Sequence, residues 1–272
     1  MVVLWILLLF SLSSCSVDIF GFFASSDQDV RLKDKNTFHM VTDRNISNLG
    51  DSYEFLVTTD THIDKGDAHG LERLTQVIGN AKFVVVLGDV TQNGSEEDVR
   101  TFKRIAENFG VPCYPVIGNH DVYFNNWHNW RDIIGSTSYR IDGFSGNVSA
   151  GNAHTTLFIL DTANASVGND QLDWLGNELR SAGNHVFIFT HTNLFVEGIT
   201  EIQQLTDIRE RARIMSLLDG RCDALFTGHL HRRIIKTIGS VHYITIEDFK
   251  SHKTYCRVRV SQTGITYTFE TL

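Results

Sequence analysis

Proline is nearly missing from this chain, with two in 272 residues, and cysteine is scarce at four. No Pro/Ser-rich stretch or block of like charge interrupts the sequence after residue 50, so nothing marks a linker and one large domain is expected. Basic residues are not in excess. The 24 Lys and Arg against 32 Asp and Glu leave a net charge of −8, which argues against bulk nucleic-acid binding through a broad basic surface. No apolar run reaches the roughly 20 residues that a spanning helix needs. There is no internal repeat and no low-complexity tract. What remains is ordinary for a globular fold, with 42% hydrophobic and 21% charged residues.

The longest apolar run stands at the start. Residues 1–14, MVVLWILLLFSLSS, have the length of a secretory h-region and meet Leu12-Ser13-Ser14-Cys15. That junction resembles the lipobox of bacterial lipoproteins, where cleavage precedes a cysteine that becomes acylated. It departs from the pattern in having no Lys or Arg in the n-region. The resemblance implies a lipoprotein signal peptide over 1–14, an N-terminal tether over 15–50 and one domain over 51–272. The protein would be secreted and anchored to the bacterial cell envelope through lipid on Cys15, on a periplasmic or surface face. Ser16 resembles an outer-membrane sorting residue. With Cys15 set aside, Cys113, Cys222 and Cys256 are an odd number beside apolar runs, so buried free thiols are expected.

Past residue 51 the pattern alternates. Apolar β-branched and aromatic runs at 54–59, 83–87, 111–117, 156–160, 185–190 and 224–227 read as strands. Between them 95–108, 170–181 and 202–218 carry helical periodicity, and Ser95 with Asp98 forms an N-cap signature. After His231 only strand-like runs follow, at 234–238, 241–246, 255–260 and 265–269. Apolar strands alternating with helices imply sheets covered by helices. The trailing strands suggest a second sheet packed on the first.

Residues of metal-ligand type sit at the ends of five of these runs: Asp60-Thr61-His62, Gly88-Asp89 with Gly94, Gly118-Asn119-His120-Asp121, His191, and Gly228-His229-Leu230-His231. In open α/β sheets, sites form at the carboxyl ends of strands. Asp60 and His62 are two apart, as are His229 and His231, so each pair points to one side of extended backbone. Oxygen and imidazole ligands of this kind suit two divalent metals, a standard device for attacking phosphate esters.

Together the five pieces resemble the calcineurin-like metallophosphoesterases, in which D-x-H, G-D-x4-G, G-N-H-D, a lone His and G-H-x-H occur in this order. The resemblance spans Asp60 to His231. It implies an α/β fold, a four-layer α/β/β/α sandwich of two mixed sheets flanked by helices. It also implies two divalent or mixed-valence ions (Fe, Mn or Zn), one taking Asp60, His62, Asp89 and His231 and the other Asp89, Asn119, His191 and His229. His120 would protonate the leaving oxygen, with Asp121 orienting its ring, while a hydroxide held by the metals attacks phosphorus. A small phosphate-ester substrate follows. Residues 158–162 and 171–175 are similar to a segment of the cyclic-nucleotide-phosphodiesterase-like branch, which favours phosphodiester or nucleotide-type substrates over monoesters. His191-Thr192-Asn193 departs from the His-Pro-Pro common in that branch.

Other candidates are weaker. The segment Tyr123–Trp130, with Trp127 and Trp130, divides evenly between lining a substrate pocket and covering the sheet edge. Arg232 and Arg233 read as a solvated strand end, Glu247 and Asp248 as loop acids, and histidines outside the motifs, His69 among them, as surface or structural residues.

Overall fold

The computed structural model describes residues 28–33, 44–146, 153–195, 205 and 207–272. The leader at 1–14 and Cys15 lie outside the described residues. Among the described residues, twelve strands form two mixed sheets. One contains β1 (Arg44–Ile46), β5 (Tyr139–Gly143), β6 (Thr155–Ile159), β7 (His185–Phe189), β8 (Ala224–Thr227), β10 (Val241–Thr245) and β9 (Ile234–Ile238), in that order. The other runs β12 (Gly264–Thr271), β11 (Thr254–Ser261), β2 (Tyr53–Thr58), β3 (Ala81–Val86) and β4 (Cys113–Pro115). β2, β3 and β4 are mutually parallel, as are β6, β7, β8 and β10.

Side-chain alternation builds the layers. Phe55 and Val57 of β2 point between the sheets, against Phe187, Phe189 and Phe226 from the opposite sheet. Leu56, between them in sequence, points outward. There it meets Phe102 and Ile105 of helix α2 (Glu96–Glu107) and the Trp127 and Trp130 rings of α3 (Trp127–Ile133). On the far side, Phe158 and Ile188 face α4 (Asn169–Glu178) and α5 (Ile208–Leu218) through Leu172, Leu175, Ile214 and Leu218. Three apolar layers between four structural ones make the expected sandwich. Strands buried on both faces explain why their sequences run apolar without alternation.

Several details differ from expectation. The trailing strands do not make a sheet of their own. β10 joins β8 in parallel and carries β9, whereas β11 joins β2 and carries β12. The run at 111–117 yields only the three residues of β4, since it contains Pro112 and Pro115, which have no N–H to give a ladder. β1 is too short to show a period. Trp127 and Trp130, 3% and 1% exposed, belong to the core rather than to a pocket wall. α5 is described from Ile208, capped by the Asp207 carboxylate on Arg209 N–H, while 201–204 and 206 lie outside the described residues. α2 starts as expected, with Ser95 accepting from Asp98 N–H.

Part of the expected tether lies against the domain. Helix α1 (Gln28–Lys33) buries Arg31 and Leu32. The Arg31 guanidinium grips Asp161, Nε to Oδ2 and Nη2 to Oδ1 at 2.8 Å each, and also reaches Asn164 Oδ1 at 2.7 Å.

Candidate metal centre

Five strand ends deliver the predicted residues to one place between the sheets. Asp60 and His62 follow β2, Asp89 follows β3 and Asn119 follows β4. His191 follows β7, and His229 and His231 follow β8. Backbone bonds tie these ends together: Asp60 N–H donates to Gly88 C=O (3.0 Å), His62 N–H to Asp89 C=O (2.9 Å) and Gly228 N–H to His191 C=O (3.0 Å). The chain turns sharply there. Asp60, His62, Asp89, His229 and His231 all have positive φ, between 46° and 69°. Non-glycine residues held so typically cost about 1–3 kcal/mol each, and such strain gathers at functional sites.

Two glycines allow the approach of the strands. A Cβ on Gly118 would lie 2.2 Å from Asp89 N and 2.3 Å from its Oδ1. One on Gly228 would lie 1.9 Å from the Thr59 hydroxyl oxygen and 2.6 Å from Asp60 Oδ2.

The ligand-type atoms fall into three overlapping groups, of which His62, Asp89 and His120 form the middle one, linking the other two. Asp60, His62 and His231 form one, with His231 Nε2 3.2 Å from Asp60 Oδ1 and 3.4 Å from His62 Nε2. Asp89, His191 and His229 form the other, with His191 Nε2 3.3 Å from Asp89 Oδ2 and 3.2 Å from His229 Nδ1. Asn119 Oδ1 joins this group, 3.0 Å from His191 Nε2. Asp89 Oδ2 also lies 3.9 Å from His62 Nε2, so one oxygen faces both groups. That buried oxygen has no hydrogen-bond partner. Nitrogens held about 2.0–2.1 Å from a tetrahedral ion stand roughly 3.3–3.4 Å apart. The spacing and donor types therefore fit metal ions, and the absence of a thiolate leaves Fe, Mn and Zn equally suited.

The outer atoms of Asp60, Asp89, His191 and Asn119 are occupied, which aims their free lone pairs inward, whereas the buried His62 Nδ1 has no hydrogen-bond partner. Asp60 Oδ2 accepts from His229 N–H (2.9 Å) and the Thr59 hydroxyl (2.6 Å). Asp89 Oδ1 accepts from His120 N–H at 2.8 Å. His191 Nδ1 donates to Leu87 C=O at 2.7 Å, which turns Nε2 to the centre. Asn119 gives its NH2 to the Tyr123 hydroxyl (3.1 Å), leaving its oxygen for the cluster.

Electrostatics match this arrangement. Burial opposes charge on Asp60 and Asp89, yet neighbouring imidazoles, His231 first for Asp60 and His191 first for Asp89, hold both carboxyls well below the usual range. Burial lowers His62 to about 3 and His229 to about 4, so both rings are neutral at physiological pH. Burial also opposes charge on His191, but Asp89 and Asp60 outweigh it and raise that ring to about 9.

His120 and Asp121 stand beside the cluster. His120 Nε2 is 4.0 Å from Asp89 Oδ2, and Nδ1 is 2.8 Å from the Gln92 carbonyl. The Asp121 carboxylate accepts from the backbone N–H groups of Gly118 (2.9 Å), Val90 (3.2 Å) and Thr91 (2.8 Å) and from the Thr91 hydroxyl (2.8 Å). Burial and the Asp89 charge push Asp121 up to about 6, against the pull of the Gly118 and Thr91 donors.

Several contributors were not expected. Gln92 gives no signal beyond lying near the motifs, and Tyr123, expected only as the start of an aromatic segment that lines a pocket or covers a sheet edge, instead holds the Asn119 amide. Asp248, expected as a loop acid, is buried at 1% exposure with Oδ1 3.9 Å from His231 Nδ1 and 2.7 Å from His252 Nδ1. His69 touches the site through its Nε2, 3.1 Å from the His62 carbonyl. Arg233 instead pairs with Glu247 at 2.9 Å and lies over the Phe269 ring.

Two mixed sheets between helices, carrying carboxylate, amide and imidazole groups together at their strand ends, define a metallophosphoesterase. The sequence profile of calcineurin-like phosphoesterases matches residues 53–233, and the chain belongs to that family. It is 27% identical over 195 residues to a probable glycerophosphodiester phosphodiesterase of Arcobacter nitrofigilis, covering 64% of this chain and 70% of that protein. It is 23% identical over 207 residues to a 3',5'-cyclic adenosine monophosphate phosphodiesterase of Pseudomonas aeruginosa, covering 72% of each. Among solved structures, a dimetal phosphatase from Danio rerio shares the fold at TM-score 0.58 and 14% identity, over 80% of this chain and 98% of that one. The inner-membrane-complex anchor GAP50 of Plasmodium shares it at TM-score 0.62 and 17% identity, over 81% and 84%.

Proposed function

We propose that this protein hydrolyses phosphodiester or nucleotide-type substrates at a binuclear metal centre. Asp60, His62, Asp89 and His231 hold one ion, and Asp89, Asn119, His191 and His229 the other. The observation that carries this reading is the buried Asp89 Oδ2, which faces both ligand groups and has no hydrogen bond of its own. When bound, the metals supply Lewis acidity toward phosphate oxygens and activate water at neutral pH.

The chain supplies the rest. Rigid strand ends hold the phosphate in register, and His120 presents Nε2 to the leaving oxygen. Its Nδ1–H is donated to Gln92 C=O, so the ring accepts and releases its mobile proton at Nε2. Asp121 braces the backbone of Gly118, Val90 and Thr91, and the Gln92 carbonyl takes the place expected of Asp121 in orienting the His120 ring. Diesters are favoured over monoesters because the sequence relatives named above carry phosphodiesterase names. Lipid on Cys15 anchors the enzyme to the bacterial envelope, and replacing Cys15 with Ser should move it from the membrane to the soluble fraction.

The direct test strips the purified protein of metal and reloads it with Mn, Zn or Fe. A monoester, a diester and a cyclic nucleotide are then compared. A diester rate well above the monoester rate supports the proposal. The reverse order makes the protein a phosphomonoesterase, and hydrolysis of none with metal bound makes it a binding scaffold.

A further inference from the structure

One cation outside the ligand set is held at the edge of this centre. Lys250 lies on the short helix α6 (Phe249–His252). Its N–H donates to Asp60 C=O at 3.2 Å, and Phe249 N–H donates to Thr59 C=O at 2.8 Å. The start of α6 is thus stitched to the strand end that delivers Asp60, which fixes the origin of the Lys250 side chain. The half-buried side chain turns inward, and Nζ donates to Gln92 Oε1 at 3.3 Å. Gln92 is the residue whose carbonyl meets His120 Nδ1 at 2.8 Å, and its side-chain nitrogen is 3.5 Å from the same atom. Ammonium, amide and imidazole therefore follow one another at the rim beside the proton donor. No carboxylate pairs with Lys250 among the described residues.

We propose that Lys250 is a specificity-determining residue that reads negative charge on the departing half of the substrate, the half that His120 protonates. This rests on the phosphodiesterase reading of the site. A departing alcohol bearing a carboxylate or phosphate would draw Nζ from Gln92 and pair with it. One bearing a quaternary ammonium would be repelled. Specificity of this kind is a difference between two affinities and shows as a ratio.

The test uses full-length enzyme reloaded with metal, as wild type, Lys250→Met, Lys250→Glu and Lys250→Arg. The substrates are methyl aryl phosphodiesters whose ring carries a carboxylate, no charge or a trimethylammonium group at one position. Intrinsic reactivity cancels when kcat/KM ratios are compared between variants. A partly exposed ion pair is worth about fivefold, so the carboxylate-to-ammonium preference should fall about fivefold in Lys250→Met. It should invert in Lys250→Glu and return in Lys250→Arg, with metal content equal throughout. Binding of 4-carboxyphenylphosphonate, whose C–P bond is not hydrolysed, should weaken in the same order. An unchanged ratio in Lys250→Met and Lys250→Glu overturns the proposal. If wild type hydrolyses none of the diesters, the phosphodiesterase reading fails and phosphonate binding alone decides. Equal affinity of wild type and Lys250→Glu for that phosphonate then overturns the role of Lys250.

Discussion

Replacing Arg31 with Ala should cost this fold a large share of its stability, although Arg31 lies outside the segment that carries the motifs. Arg31 and Asp161 both have side chains with 0% exposure, and two 2.8 Å bonds join them, with a third bond of 2.7 Å to Asn164. Removing the guanidinium breaks this buried pair from one side. Breaking one side of such a pair costs about 3–5 kcal/mol, against a total of about 5–15 kcal/mol for a domain. Asp161 also shapes the loop whose Thr162 hydroxyl accepts Thr192 N–H (2.9 Å) and bonds Thr190 (2.7 Å), on either side of His191. The assay is urea unfolding followed by fluorescence. With a slope of about 3 kcal/mol per molar, the midpoint should drop by about 1–1.7 M with the slope unchanged. Asp161→Ala should lose a similar amount, and the double variant much less than the sum. An Arg31→Ala midpoint within about 0.3 M of wild type, under 1 kcal/mol on that slope, would refute the docking of the N-terminal segment.

Three further outcomes are expected. His120→Ala should retain wild-type metal content by elemental analysis while turnover falls about 10²–10⁴-fold, the usual worth of a general acid; loss of metal would make His120 a ligand. Gly118→Ala should fold, yet bind metal about 10–100-fold more weakly, because its Cβ would displace Asp89, and such support of a ligand is typically worth that much. Metal loading at neutral pH should release at least one proton, measured by calorimetry in buffers of different ionisation enthalpy, because His191 must give up its proton to ligate and metal-held water gives up part of another. His191 is raised from 6.5 to about 9 in the metal-free fold, so its contribution to stability is full below pH 6.5 and is lost as pH rises through about 9. Release of no proton would mean that His191 is already neutral.

Residues that follow apolar strand runs made much of the centre legible in the sequence. Asp60, Asp89, Asn119, His191, His229 and His231 each lie within four residues of a strand end, although Asp60, His62, His229 and His231 turn at positive φ rather than lying in the extended backbone that their spacing suggested. The helices α2 and α4 were equally open to reading, since their apolar faces repeat with helical period. What orders the ligands was not legible. The tyrosine that fixes the Asn119 amide, the Leu87 and Gln92 carbonyls that orient His191 and His120, and the position of Asp248 all depend on where strands stop relative to one another. Nothing local in sequence encodes that. Positive φ at five non-glycine ligands is likewise a tertiary effect, imposed by the surrounding fold against local preference. The division of the trailing strands between two sheets escaped for the same reason, because a strand sequence does not name its neighbour.

The shared oxygen of Asp89 is open to the most direct measurement, the metal stoichiometry of Asp89→Ala beside that of wild type and His62→Ala. Two ions per wild-type chain, about one in His62→Ala and none retained in Asp89→Ala is the expected result. A wild-type chain that saturates with one ion, or an Asp89→Ala variant that keeps two, would contradict a centre built on that carboxylate.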